Sequence, residues 1–510
     1  MTVTTFSCVE RFLGFIYRIF LSRTLGAEGL GIYQISLSVL GLFMTITSSG
    51  IPITVSRMMI KYKQEDKRAK AEATVTAGIL TAIATSIPLV LLVYSKSGLL
   101  NALFSDERCL PVLAIMIPGL IFTSVYAVIR GTFWGNKQFL TYSIIEFLEE
   151  AVMLIAGIIL VNTVVDFSQG VKMAGYAVLI SYLFSFTVAI SVFFIRGGRL
   201  GAPFLQFSPL VKSSSPITAM KTSTSLINTM IAVLLPARLV YYGISSADAM
   251  SLFGKVFGMA FPLIFMPSTL IGSLALVLTP ELAENYYGKK YETLKNNVEK
   301  ALKFSCVIAC LIIPVFLCYG KEICQIIYSD LSVGEYVAKG SLTMLPLSIC
   351  IISTSILNSL NKEKQTLLSF FAGAIVMIAC IYFLPSVIGV DSLIVGIFLN
   401  YTVSAVINVI LLYKYVPVKL KLAKFFITAL LTLIPPVVFG SLLKNVIGLR
   451  LGVFISTVIL ALSVLLFNGA LMLILGLFDF VLDKNKLPFA KSKRQPKKIK
   501  FLNRQNTKPF

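Results

Sequence analysis

The sequence predicts an all-α, polytopic membrane protein of about fourteen transmembrane helices, arranged as two six-helix lobes plus two extra C-terminal helices. Three observations predict it. The 510 residues are 57% hydrophobic and only 13% charged, with a mean hydropathy of +0.87, far from the balance of a chain solvated by water. Apolar windows of roughly 20 residues, the length that crosses a hydrocarbon core of about 30 Å, recur along nearly the whole chain. Finally, most of the 45 Lys and Arg gather in alternate loops, the pattern of cytoplasmic loops. Long apolar runs, in place of short alternating segments, exclude an outer-membrane barrel.

Reading apolar windows against breakers and charges gives the spans in order. The first two, near 3–21 and 32–57, precede a loop with Arg57, Lys61, Lys63, Lys67, Arg68 and Lys70. The third and fourth, near 73–94 and 110–132, end at Arg130 and Lys137. The fifth and sixth, near 141–162 and 173–195, lead to Arg196, Arg199 and Lys212. After the seventh and eighth, near 215–237 and 250–279, come Lys289, Lys290, Lys295, Lys300 and Lys303. The ninth and tenth, near 302–320 and 337–359, are followed by Lys362 and Lys364. The eleventh and twelfth, near 367–385 and 391–413, are followed by Lys414, Lys419, Lys421 and Lys424. The thirteenth and fourteenth, near 423–443 and 451–477, lead into a tail rich in Lys, Arg, Asn and Gln. A miscount of one helix would scramble this alternation, so both termini are expected in the cytoplasm of a cell-membrane protein.

The net charge of +22 follows from those loops, so nucleic acid is not an expected partner. The tail over 481–510 is too polar to bury a core and is expected to be a disordered, basic, lipid-facing segment. The first apolar segment carries Glu10, Arg11 and Arg18 and lacks a small-residue cleavage site, so no cleavable signal peptide is expected. There is no histidine, and the eight cysteines form no CxxC pair. Neither a metal site nor another cofactor is expected. Short loops offer no catalytic extramembrane domain, so a transporter is expected and not an enzyme.

The two halves echo each other. Leu25 to Leu30 precede the second span as Tyr242 to Ala247 precede the eighth; Ser49-Gly50-Ile51 matches Ile271-Gly272-Ser273; and Gly135-Asn136-Lys137 matches Leu360-Asn361-Lys362. The offset between copies stays near 217 to 225 residues. Six helices per copy is an even number, so both copies enter from the same side, as in parallel transporter repeats. The expected division is 1–200 for the first lobe, 213–413 for the second, 414–480 for two added helices, and 481–510 for the tail.

The motifs Leu13-Gly14-Phe15-Ile16-Tyr17-Arg18, Leu25 to Gln34 and Ser49-Gly50-Ile51-Pro52 carry a resemblance. So do Gly258-Met259-Ala260-Phe261-Pro262-Leu263 with Pro267, and Pro280-Glu281-Leu282. Together they resemble the multidrug, oligosaccharidyl-lipid and polysaccharide exporter superfamily. Within it, the chain is similar to the stage V sporulation protein B-like family of lipid-linked oligosaccharide flippases. That resemblance implies a flippase for an undecaprenyl-diphosphate sugar destined for spore cortex peptidoglycan, working by alternating access. It also implies a longer first helix than the one seen here, where Glu10 and Arg11 fall near the middle of a short span. The implied partners are a polyprenyl-diphosphate-linked saccharide and membrane lipids, with cell-wall synthesis proteins as candidates, and the chain is expected to be monomeric. A cation-coupled multidrug antiporter and a membrane-embedded glycan polymerase or glycosyltransferase are the alternatives.

Charges inside a membrane are costly and mark candidate sites. Arg11 and Arg18, seven apart on one face of the first helix, with Lys221 and Lys255 in the seventh and eighth, are the candidate cations for a diphosphate. Glu146, Glu149 and Glu150 share a face of the fifth helix and repel one another when all are ionised, a pattern suited to proton or cation coupling. Gly50 with Pro52, and Pro262 with Pro267, are candidate gating bends.

Overall fold

The computed structural model of the chain describes residues 2–95, 104–416, 423–447 and 452–479. The expected basic tail, and Lys419 and Lys421, lie outside the described residues. In chain order the helices are α1 (Thr2–Ser48), α2 (Ile51–Gln64), α3 (Arg68–Tyr94), α4 (Cys109–Met116), α5 (Gly119–Gly135), α6 (Phe139–Asn162), α7 (Phe167–Ile195), α8 (Phe207–Tyr241) and α9 (Ser246–Phe253). A π-helical stretch, Gly254–Ala260, leads into α10 (Phe261–Phe265) and α11 (Ser268–Tyr287). Then come α12 (Tyr291–Tyr328), α13 (Val333–Ser341), α14 (Met344–Ser359), α15 (Glu363–Phe383), α16 (Pro385–Ile388), α17 (Asp391–Tyr415), α18 (Ala423–Leu431), α19 (Ile434–Ile447) and α20 (Val453–Ile474).

Among the described residues, 10 helices are long and apolar enough to cross a membrane, or 12 when the bent pairs α4–α5 and α13–α14 each count as one span. The first of these covers two spans. At Gly26 the backbone turns to φ +66°, and the Tyr17 and Tyr33 rings lie 6.3 Å apart. Sixteen residues of unbroken helix would separate them by about 24 Å, so the chain reverses there. Helix α6 escapes the count only because every window of it holds Glu146, Glu149 and Glu150. With both added, the number is fourteen, and the protein is a multi-pass membrane protein.

Several spans run past the apolar windows that locate them. The ninth continues from Tyr291 to Tyr328 because its first turns, with Glu292 and Lys295, keep helical geometry outside the hydrocarbon length. The eighth is broken into four pieces at the π stretch and Pro267, since a proline removes a backbone donor and frees the preceding turn.

Packing repeats between the halves. The first span packs on the fifth, the second on the third and fourth, and the fourth and fifth on the sixth. In the second half the seventh packs on the eleventh, the eighth on the ninth and tenth, and the tenth and eleventh on the twelfth. Spans thirteen and fourteen attach to the ninth. Asn468 donates to the Cys310 carbonyl at 2.9 Å, Tyr319 donates to the Gly440 carbonyl at 2.9 Å, and Lys444 pairs with Glu322.

The loops at 65–67, 136–138, 196–206, 288–290 and 361–362 define a basic end, and those at 104–108, 163–166, 242–245 and 329–332 the far end. Toward the far end one apolar core joins both halves, with Leu21, Leu30, Leu113, Leu239, Phe253 and Tyr328 in a single cluster. Toward the basic end it divides. Val55, Val75, Ile129 and Phe193 form one cluster in the first half, and Leu278, Leu302, Ile356 and Leu412 form another in the second. The halves therefore meet at the far end and part toward the basic end.

Candidate substrate cavity

The parting leaves a cavity of about 470 Å³ between the second, fourth and seventh spans. Its walls hold two cations, Arg130 and Lys221, with Ser48, Ser49, Thr224 and Asn228. Arg130 belongs to α5. Its Nη1 is 2.7 Å from Glu146 Oε1, and its guanidinium lies over the Tyr126 and Trp134 rings at 5.9 and 5.3 Å. The helical spacing of four on either side puts both rings against it. The Nε–H is buried without a partner, so one donor of the fork is unused. Lys221 is exposed, and its ammonium donates to the Ser49 carbonyl at 3.3 Å. Among the described residues it has no carboxylate partner.

Lys221 also borders a second hollow, of about 320 Å³, walled by Thr354, Asn358, Thr366, Asn400, Tyr401 and Ser404. Ser369, also in that wall, donates to Asn408 at 2.6 Å and Asn408 donates to Thr354 at 2.9 Å, while the Asn400 amide oxygen is buried without a partner. One side of the lysine is cationic and aromatic, and the other carries hydroxyls and amides with one carboxylate, Glu363.

The other expected cations lie elsewhere. Arg18 lines a separate cavity of about 180 Å³ inside the first half, with Tyr17, Tyr33, Glu149, Glu150 and Tyr182. Its face of the first helix turns to α6 because Gly157 leaves no side chain there and the Tyr17 ring fills the space. Arg11 is exposed near the start of that helix. Lys255 sits in the π stretch, 3.8 Å from Asp330, at the far end. The structure thus does not bring Arg11, Arg18, Lys221 and Lys255 into one cavity. Arg130, which the sequence reading counts among the loop cations at the end of the fourth span, stands beside Lys221 instead. The three glutamates also divide: Glu146 holds Arg130, while Glu149 and Glu150 line the cavity that holds Arg18, with Glu150 Oε2 and the Tyr17 hydroxyl buried and unpartnered.

The candidate bends fall at helix interruptions. Gly50 caps α2 and Pro52 sits in its first turn. Gly50 is needed for close approach, since a Cβ there would overlap the Ser214 carbonyl and the Thr218 hydroxyl. Pro262 sits in the first turn of α10, and Pro267 caps α11.

At the far end polar groups tie the halves. Arg108 holds Asp106 at 2.7 Å and Glu28 at 2.6 Å, and Ser246 donates to Asp106 at 3.0 Å from across the divide. Arg23 donates to the carbonyls of Ile326 and Ile327. Burial alone would push the Asp106 carboxyl up, but the hydrogen bonds from Arg108 and Ser246 outweigh it and hold the group below its ordinary value. Such a depressed carboxyl stabilises the closed far end above its open-state pKa, and the contribution is lost as pH falls through the depressed value. Spin labels at Glu107 and Ala247 should therefore report a widening distance distribution as pH is lowered below about 4, the ordinary carboxylate value. An unchanged distribution would rule out Asp106 as part of the closure.

A family model described as polysaccharide biosynthesis protein matches residues 1–285, more than half of the chain. The chain belongs to the polysaccharide biosynthesis protein family. It is similar to stage V sporulation protein B of Bacillus subtilis (strain 168), 20% identical over 82% of this chain and 83% of the relative. It is also similar to the lipid II flippase MurJ of the same organism, 20% identical over 81% of this chain and 80% of the relative. Among solved structures, a lipid II flippase MurJ in an inward closed conformation shares the fold with a TM-score of 0.69 and 15% identity, over 94% of this chain and 99% of that one. An inward-facing multidrug resistance MATE family transporter of the MOP superfamily shares it with a TM-score of 0.67 and 12% identity, over 79% of this chain and 93% of that one. This family member thus carries the fold of multi-span transporters, with its cations distributed as described above.

Proposed function

We propose that this protein flips a lipid-linked cell-wall precursor, an undecaprenyl-diphosphate sugar for spore cortex peptidoglycan, from the cytoplasmic to the outer leaflet. The observation that carries the reading is the pair Arg130 and Lys221 on the walls of one cavity, beside a hydroxyl- and amide-lined hollow. Cations offset the cost of bringing a diphosphate out of water, and the hydroxyls, amides and single carboxylate of the hollow suit the hydroxyls of a saccharide. The names of the relatives support the same class of substrate. Residues 1–200 and 213–413 would be two lobes that rock about this cavity, with 414–480 as added helices. The basic end and both termini would face the cytoplasm. An inside-negative potential favours the direction, at about 2.3 kcal/mol per charge per 100 mV.

Purified protein in liposomes tests this with a fluorescent polyprenyl-diphosphate sugar. Accelerated flipping supports the proposal; cation-dependent dye efflux without flipping would favour the antiporter, and glycan product an enzyme. For orientation, cysteines at Asp166 or Asp391 should react with an impermeant reagent from outside, and those at Lys67 or Lys290 should not. The opposite labelling would invert the assignment.

Glu149 and Glu150 beside Arg18 would form the coupling site. Glu149→Gln and Glu150→Gln are each expected to alter the pH or cation dependence of flipping, whereas Glu146→Gln acts through Arg130 and should lower substrate affinity. If all three leave rate, affinity and pH profile untouched, coupling through the fifth span is excluded.

A further inference from the structure

A further cleft, of about 560 Å³, stands apart from the central cavity. It lies at the basic end of the first half, where the start of α3, the turn after α5 and the linker after α7 converge. Four cations line it, Lys63, Arg68, Arg196 and Arg199, against two carboxylates, Asp66 and Glu72. Its floor is apolar, with Met59, Phe133 and Phe193 all buried.

The cleft is built and held in shape. Lys63 donates to the Asn136 amide oxygen at 2.5 Å and Arg196 to the Thr141 hydroxyl at 2.7 Å. The linker is pinned to α3 by the Gly201 amide donating to Thr76 at 3.0 Å, and to α2 by Tyr62 donating to Gln206 at 2.9 Å. Against this fixed frame, Arg68 and Arg199 make neither an ion pair nor a hydrogen bond among the described residues. Positive charge placed only to set topology needs no cleft and no apolar floor. The end of α7 and the same linker also expose Ile195, Phe204 and Leu205, each more than four-fifths accessible, which suits contact with acyl chains at a bilayer surface.

We infer that this cleft binds the phosphate-bearing headgroup of an anionic phospholipid. The phosphate sits between Arg68 and Arg199, and the glycerol and first acyl carbons lie on the Met59–Phe133–Phe193 floor. Guanidinium forks recognise phosphate oxygens in pairs, and basic clusters next to a bilayer draw anionic headgroups. The apolar floor selects a lipid over free phosphate. Because Arg196 and Arg199 begin the connection from the sixth to the seventh span, an occupied cleft ties that linker to α3.

The test uses the full-length protein in detergent micelles, following its unfolding temperature. The probes are short-chain phosphatidic acid, phosphatidylcholine of the same chain length, and inorganic phosphate. Phosphatidic acid should raise the unfolding temperature saturably, and the other two should not at equal concentration. Arg68→Gln with Arg199→Gln should weaken the apparent affinity about tenfold or more, while Lys289→Gln with Lys290→Gln, basic surface outside the cleft, should change it less than about twofold. Should the double variant lose helix content, Arg199→Gln alone, on the exposed linker, should still weaken it about threefold. An unchanged response in the Arg68 and Arg199 variants, an equal loss in the Lys289 and Lys290 variant, or an equal shift from inorganic phosphate or phosphatidylcholine would overturn the site.

Discussion

Arg130→Gln combined with Lys221→Gln is expected to lower flipping of a polyprenyl-diphosphate sugar at least about a hundredfold, because hydrogen bonds to charged groups contribute roughly 1.5–3 kcal/mol each and two are removed. The single variants should not sum to the double, since both cations face one cavity and would share one diphosphate. Arg130→Gln alone carries a second effect: it leaves Glu146, a part-buried carboxylate in the membrane, without its partner, which destabilises the fold. Adding Glu146→Gln to Arg130→Gln should therefore restore expression and helix content without restoring flipping. Arg130→Lys keeps the charge but neither the fork nor the stacking on Trp134, and should fall between. Lys221→Arg should retain most activity, because its ammonium has only the Ser49 carbonyl to hold it. Near-normal flipping in the double variant, with normal insertion, would remove the cationic-cavity mechanism.

The fold is legible in the sequence wherever hydrocarbon thickness is the constraint. Apolar length and Lys/Arg alternation are one-dimensional signals, and they locate all fourteen spans. Which face of a helix looks where is not such a signal. Arg18 sits seven residues from Arg11 on one face, and nothing local says whether that face meets the central cavity or the fifth span. The Tyr17 ring over Gly157 decides it, across a long stretch of chain. Arg130 reads as a loop base because Gly131, Gly135 and Asn136 follow it, yet α5 continues to Gly135. Its spacing of four from both Tyr126 and Trp134 was the available clue to a membrane cation held by rings. The far-end network of Glu28, Asp106, Arg108 and Ser246 leaves no trace, since its members come from three segments far apart in the chain.

The bends teach a related point. Gly50 has an ordinary helical φ of −90°, so it serves proximity to Ser214 and Thr218 and not backbone freedom. In the second copy the interruption comes at Met266 and Pro267, ahead of Gly272, the residue that matches Gly50 in sequence. A Cβ on Gly272 would meet nothing within 4 Å. Sequence equivalence between the copies therefore marks corresponding spans without marking corresponding hinges.

Gly254→Val is expected to hold the far end open and to abolish flipping. Gly31 and Gly254 face each other where the second span crosses the π stretch: a Cβ on Gly31 would overlap the Met250 carbonyl oxygen, and a Cβ on Gly254 the Ala27 carbonyl oxygen. Both obstacles are backbone atoms of regular helical segments, so no side-chain rotation relieves them, and only separation of the two helices can. Overpacking of this kind costs about 1–3 kcal/mol, which changes the ratio of closed to open far ends by roughly 5- to 150-fold. An alternating-access cycle needs both closed forms, so a protein that rarely closes its far end cannot reload from the basic end. Spin labels at Glu107 and Ala247 should show the longer distance in Gly254→Val at neutral pH, the same displacement that low pH produces through Asp106. Gly254→Ala should give a smaller shift, and Gly272→Val, with open space around it, should flip normally. Normal flipping in Gly254→Val with an unchanged far-end distance would show that this glycine crossing is packing alone and not the gate.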